Sequence, residues 1–386
     1  MLVGRLAAPS LVPAAGRETP LSRAREPAPH ASGHAGEHSA RSGGRGRHYS
    51  DRVDAPLIDY AAARRIGAAL APPGPALSRA EAEGVVAGLR AAAEASVGHV
   101  AAVTRLAPPA DGAAGTLVVD RRSWVAANVT MVEGMITAAT GAAAPPTTLR
   151  GRAKAAGNAV ELGGVLGLLS SRVLGQYLPY GSPRLLLVAP NVAHIERGLG
   201  VDPRDFRLWV CLHEQTHRFQ FAAAPWLPDH LARQVRALIE AADDKPPLLQ
   251  RRPPATLLEA VTTPAQRVVF DRVTAVMSLL EGYADVMMDR VGPDIVPTVE
   301  TIRARFEGHR GRPGLTQAVN RALGLDLKLA QYRDGAAFCR AVIDAVGAEG
   351  LNEVYASPGL LPTLAEIHDP GTWLARVHPA RPGAVG

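Results

Sequence analysis

Residues 208–221 read LWVCLHEQTHRFQF, and this stretch limits the possible folds more than any other part of the chain. Just upstream, Asp202-Pro203 is a helix start, with an acid to cap the first turn and a proline at the first helical position. The spacing predicts one helix from there to about Phe221. Leu208, Trp209, Val210, Cys211 and Leu212 form an unbroken apolar run, so that helix has to be buried on most sides. Phe206, Val210, His213, His217 and Phe221 fall on roughly one stripe, and imidazoles interrupting a buried apolar stripe need polar partners. A metal ion supplies them at once. His213 and His217 stand at i and i+4, about one turn apart on the same face, so both rings can reach one ion at about 2.0–2.1 Å. Glu214 is rotated by about 100° from His213. It flanks the ion instead of ligating it, where a carboxylate can take a proton from a metal-activated water. This is the HExxH arrangement. One Zn²⁺ is the expected cofactor, although imidazole and carboxylate ligands also suit iron, cobalt or nickel.

A zinc ion that keeps one position for water needs a third protein ligand. The best candidate lies in SLLEGYADVMMD, residues 278–289, inside a long helix opened by Thr263-Pro264 and expected to end near Val291. Glu281 sits in an apolar lane with Met277, Leu280, Ala284 and Met288, where a carboxylate is costly unless paired or metal-bound. Asp285 follows one turn later on that face. It is expected to orient a ligating histidine through the second ring nitrogen, and the residues alone leave open the reversed roles, with Asp285 as the ligand.

Around this core the chain reads as mainly helical. Ser78 and Glu81 form a capping-box signature ahead of Val85, Val86 and Leu89. Further helices are expected after Asp120, over 151–175, near 297–308, 314–323, 334–347 and 349–356, and from Asp369-Pro370 onward. Arg184–Ala189, closed by Pro190-Asn191, reads as a short buried strand. The expected fold class is mainly α (α+β), with a small sheet. Aromatic residues make up only 4% of the chain while glycine is abundant, which favours close-packed helices over an aromatic-rich sandwich.

Residues 1–52 are rich in Gly, Ser, Pro, Arg and His and cannot bury enough apolar surface to offset their ordering entropy, so a disordered basic tail is expected. The folded part is expected over 53–386, with a helical portion to about 180 and the active-site portion from about 181. Residues 1–53 hold eight arginines against four acids, so only +2 of the net charge of +6 belongs to the remainder. That balance argues against a nucleic-acid partner for the folded part. No apolar run approaches the roughly 18 residues of a membrane span. Two cysteines, Cys211 and Cys339, are too few for a disulfide scaffold, and the interrupted apolar stretches of MLVGRLAAPSLVPAAG make a weak export signal. A cytoplasmic location is the expectation.

HExxH followed on a later helix by Glu-x-x-x-Asp resembles the gluzincin metallopeptidases. The stretches LLLVAPN, DFRLWVCLHEQTHRFQF, MSLLEGYADVMMD and SPGLLPTLAEIHDPGTWLARV are together similar to an actinobacterial zincin-like family of zinc-dependent metalloproteases, also associated with deazaflavin-cofactor biosynthesis. The resemblance spans roughly 55–378. It implies a zincin-like fold, zinc held by His213, His217 and Glu281, Asp285 orienting a histidine, and substrate backbone lying along the Leu185–Ala189 strand. Arg218 departs from the usual pattern, which has an uncharged residue there. Tyr283, Tyr332, His230 and His309 are donors of the type that steadies an oxyanion, and nothing in the sequence selects among them. The expected activity is hydrolysis of peptide or amide bonds, in a peptide or protein substrate or a small amide, by metal-activated water with Glu214 as general base. A zinc-containing binding or regulatory protein without turnover, and a hydrolase of a small amide in cofactor metabolism, remain as alternatives. The oligomeric state is not encoded in any of these features.

Overall fold

The computed structural model describes residues 57–112, 114–141, 146–243, 263–310 and 325–379. In chain order these form α1 (Tyr60–Leu70), α2 (Arg79–Thr104), β1 (Thr116–Val119), α3 (Arg121–Thr140), α4 (Leu149–Leu169), β2 (Gly175–Leu178), β3 (Arg184–Val188), α5 (Ala189–Leu199), α6 (Pro203–Ala223), α7 (Leu227–Asp243), α8 (Pro264–Val291), α9 (Val299–Arg310) and α10 (Leu325–Asn352). Two single 3₁₀ turns and the short helices α11 (Leu364–His368) and α12 (Pro370–Val377) complete it. The architecture is mostly helical with one small sheet, as expected. The expected tail over 1–52 and helix over 314–323 lie outside the described residues. No helix among the described residues is long and apolar enough to cross a membrane.

Helix starts follow the capping residues. The Glu81 amide donates to the Ser78 hydroxyl while the Ser78 amide donates to the Glu81 carboxylate, closing the box at the head of α2. The Asp205 amide donates to the Asp202 carboxylate at 2.9 Å and opens the motif helix α6. Thr263 and Gln266 form a second reciprocal box at the head of α8. α10 breaks at Gly347, whose φ of 78° is a left-handed conformation that side chains with a Cβ rarely adopt. The break falls where two separate helices were expected.

Two expectations change. The helix expected over 151–175 stops at Leu169, and Gly175–Leu178 is strand β2. Asn191, buried in α5, enforces that stop: its amide donates to the Ser170 and Val173 carbonyls at 2.8 and 2.6 Å while its oxygen accepts from Arg121 Nε at 2.7 Å. Pro190-Asn191 is therefore not a turn. Proline occupies the first turn of α5, where its missing N–H costs nothing.

The sheet order is β1-β3-β2, with β1 parallel and β2 antiparallel to β3. The strand foreseen at Arg184–Ala189 is thus the central one, paired on both sides. This corrects the expectation that substrate backbone lies along it, because its hydrogen bonds are already taken. The edge nearest the motif helix belongs to β2. α6 itself is walled by α2, α8, β2 and β3. Its inward residues Phe206, Leu212 and Phe219 are fully buried, each worth about 1.5–3 kcal/mol of transfer free energy. One apolar core lies on the α2–α5 side of the motif helix and another between α8, α10 and the C-terminal turns.

Candidate metal centre

The helical spacing of α6 sets His213 and His217 edge to face, with ring centroids 4.7 Å apart. Both present Nε2 to the same point, 3.1 Å from one another. α8 crosses there and brings Glu281, whose Oε2 lies 3.5 Å from His213 Nε2 and 3.7 Å from His217 Nε2. These three are the one group among the described residues whose donor atoms cluster tightly enough to hold a metal ion. The fit can be tested by geometry. Zinc bonds of about 2.0–2.1 Å in a tetrahedron put ligand atoms about 3.4 Å apart, and the three observed edges straddle that length. The chemistry also fits, since two imidazole nitrogens and one carboxylate oxygen are a common zinc donor set. All three side chains keep some exposure, so the point they enclose is reachable from solvent.

The local electrostatics are those of a partly buried anion between two bases. Burial alone would raise the Glu281 pKa, but the two imidazoles facing its Oε2 hold it well below the usual carboxylate range. For His217 burial works downward, and the Glu281 carboxylate outweighs it, lifting the ring to about 9. Glu214 is buried beside them. Burial pushes its carboxyl above the ordinary value, and the two imidazoles only partly offset this.

Glu214 also meets β2. Gly175 packs so closely on it that a Cβ there would fall 2.5 Å from Glu214 Cγ. The edge strand thus begins at the carboxylate expected to act as base. Further along, Tyr177 rests against Phe221 of α6 with ring centroids 5.2 Å apart.

Asp285 is placed differently from the expectation. It faces Arg303 of α9 and Arg340 of α10, at 3.7 and 3.8 Å, beside Asp289, which pairs with the same two arginines. Two cations from neighbouring helices draw it away from the histidines. The second nitrogens of the rings find other partners: His217 Nδ1 lies 2.9 Å from Gln220 Oε1, and His213 Nδ1 lies 3.2 Å from Met288 Sδ. Gln220 was missed from sequence. Its signal was the one that marked the histidines, a polar side chain inside a buried apolar stripe.

Arg218 is buried on the Glu214 side of α6 and binds the Asp111 carboxylate and the Gly112 carbonyl. The charge that departs from the usual motif therefore anchors the loop that leads into β1. Among the oxyanion candidates, Tyr283 is fully buried and donates to Asn352 at 2.8 Å, which commits it to the core. His230 packs edge-on against Trp226. The side chains of Tyr332 and His309 lie outside the described residues.

α6 thus offers two imidazoles and an adjacent glutamate, α8 crosses it with a carboxylate, and residues 58–374 match the sequence profile of zincin-like metallopeptidases. The chain belongs to that family. A crystal structure from Chloroflexus aurantiacus, of a protein provisionally described as a hydrolase with a novel fold, superposes on this zincin-like chain with a TM-score of 0.60 at 34% identity. The match covers 85% of this chain and all of the other. No curated protein matches it. Family and neighbour together support a zinc hydrolase.

Proposed function

We propose that this zincin-like protein is a zinc-dependent peptidase in which His213, His217 and Glu281 hold one ion and Glu214 is the general base. The observation that carries the reading is the triangle of two Nε2 atoms and one Oε2 with edges of tetrahedral zinc length, beside a buried glutamate. Zinc bound there would act as a Lewis acid and lower the pKa of water. The chain's own residues do the rest. Glu214, its proton affinity raised by burial, accepts the proton of the attacking water and returns it to the leaving amine. The edge of β2, starting at Gly175 against Glu214, offers backbone groups to an extended peptide, and this favours a peptide over a small amide of cofactor metabolism. The actinobacterial, deazaflavin-associated branch remains the narrower assignment that the resemblance supports. Both cysteines are buried free thiols, in keeping with a reducing cytoplasm.

The test is Glu214→Gln. Zinc content, measured by elemental analysis, should match the wild type, while hydrolysis of a fluorogenic peptide library falls by at least about 10²-fold. Wild-type protein that holds zinc but cleaves neither peptides nor small amides would make the site structural or regulatory. Undiminished hydrolysis by the variant would remove Glu214 from the chemistry.

A further inference from the structure

Gln220 makes three hydrogen bonds that together fix which way its amide points. An amide carries one acceptor and a pair of donors on opposite ends. Its Nε2 donates to the Leu280 carbonyl and to the Tyr355 hydroxyl, each at 3.0 Å. The oxygen end is left facing His217 Nδ1 at 2.9 Å. An amide oxygen can only accept, so the proton of that contact belongs to His217 Nδ1. In the neutral ring that an ion requires, the lone pair is then confined to Nε2, the atom that faces His213 and Glu281. The same side chain ties α6 to the carbonyl of Leu280, the residue immediately before Glu281 on α8. It therefore reaches two of the three donors of the centre: one through the imidazole, one through the backbone that carries the carboxylate.

Gln220 is fully buried, and its surroundings are fixed from a distant part of the chain. Tyr355 is held by Trp226, whose Nε1 donates to the Tyr355 carbonyl at 2.9 Å, and its ring packs edge-on against Tyr283. Among the described residues His213 has no equivalent. Its Nδ1 meets the thioether of Met288, a weak acceptor.

We infer that Gln220 is a positioning residue of the metal centre: it holds His217 as the Nδ1–H tautomer and locks the α6–α8 crossing that brings Glu281 to the ion. The inference rests on the zinc reading above. The residue touches neither ion nor substrate and acts through His217 and the Leu280 carbonyl.

The experiment compares wild type, Gln220→Met, Gln220→Glu and Tyr355→Phe for zinc affinity, by competition with a chromophoric chelator. Removing a hydrogen-bond partner of a ligating histidine is expected to weaken zinc by about 10- to 100-fold in Gln220→Met. Gln220→Glu keeps the acceptor for the ring but loses the donor to the Leu280 carbonyl, so its zinc affinity should fall between that of Gln220→Met and that of wild type. Tyr355→Phe keeps the His217 bond and should lose less than Gln220→Met. A purely structural glutamine would not be rescued by a buried carboxylate. The second readout needs no variant at position 220: in zinc-loaded wild type labelled with ¹⁵N-histidine, the His217 resonance, assigned by its loss in His217→Gln, should show a slowly exchanging proton on Nδ1. Zinc bound equally by wild type and Gln220→Met, or a His217 Nδ1 without that proton, overturns the inference alone. Wild-type protein that binds no zinc overturns the zinc reading, and the inference with it.

Discussion

Replacing Gly175 by alanine would separate the base from the metal ligands. The added Cβ would sit 2.5 Å from Glu214 Cγ and 2.8 Å from its Cδ. Carbon–carbon contact relaxes only at about 3.5 Å, so Glu214 has to retreat by about 1 Å. Gly175 is not among the residues with positive φ, so alanine brings no backbone strain of its own. The atoms that must yield belong to one buried side chain and not to backbone, which holds the stability cost to about 1 kcal/mol. A displacement of about 1 Å in a reacting group is worth about 10²-fold in rate, or about 2.7 kcal/mol of activation free energy. The assay is kcat on a cleaved fluorogenic peptide, alongside zinc content and the thermal midpoint. The expected result is a drop of about two orders of magnitude in kcat, with full zinc occupancy and a midpoint moved by no more than about 3 °C. A kcat within about threefold of wild type would show that Glu214 is not held where the chemistry needs it. Loss of zinc would show that Gly175 acts through the ligands and not through the base.

Chelation should expose a pH-dependent stability that zinc conceals. In the metal-free protein His217 is raised from 6.5 to about 9 by Glu281. A raised folded pKa contributes stability that is complete below 6.5 and is lost as pH climbs through about 9. Chelator-treated protein should thus lose stability to urea across that window, and zinc-loaded protein, whose metal takes the place of the proton, should not; equal pH profiles would refute the assigned coupling. At the Arg218–Asp111 pair the two deletions should be unequal. Arg218 is 4% exposed and Asp111 56% exposed. Asp111→Ala therefore strands a buried cation, at about 2–3 kcal/mol, while Arg218→Met leaves a carboxylate that water can solvate, at about 1 kcal/mol. Urea midpoints that rank the two in the opposite order would show that the arginine's value lies elsewhere.

The parts of the centre readable from sequence are those that one helix writes by itself. The i, i+4 geometry of α6 brings His213 and His217 together whatever the rest of the chain does, and Glu214 follows at its fixed rotation. Caps are equally local, so Ser78, Asp202 and Thr263 marked helix starts that the structure keeps. Short strands are not local. β1 and β2 have four residues each, too few for an alternation, and exist because β3 pairs with both of them. For the same reason Arg184–Val188 was legible as a strand but not as the central one.

Glu281 and Asp285 show where such reading stops. Both are carboxylates on one stripe of α8, a turn apart, and the apolar lane around them says only that this face is covered. Which element covers each turn depends on how α6, α9 and α10 cross α8. The crossing sets the histidines over Glu281 and two arginines over Asp285, so equal sequence signals yield a candidate ligand and a surface ion pair. What fixes that crossing includes Gln220, whose amide spans from the His217 ring to the carbonyl before Glu281. The third corner of the centre is thus set by a side chain on the motif helix itself. Its role can be read only once the second helix is in place, because an amide in a buried stripe announces that it needs partners without naming them.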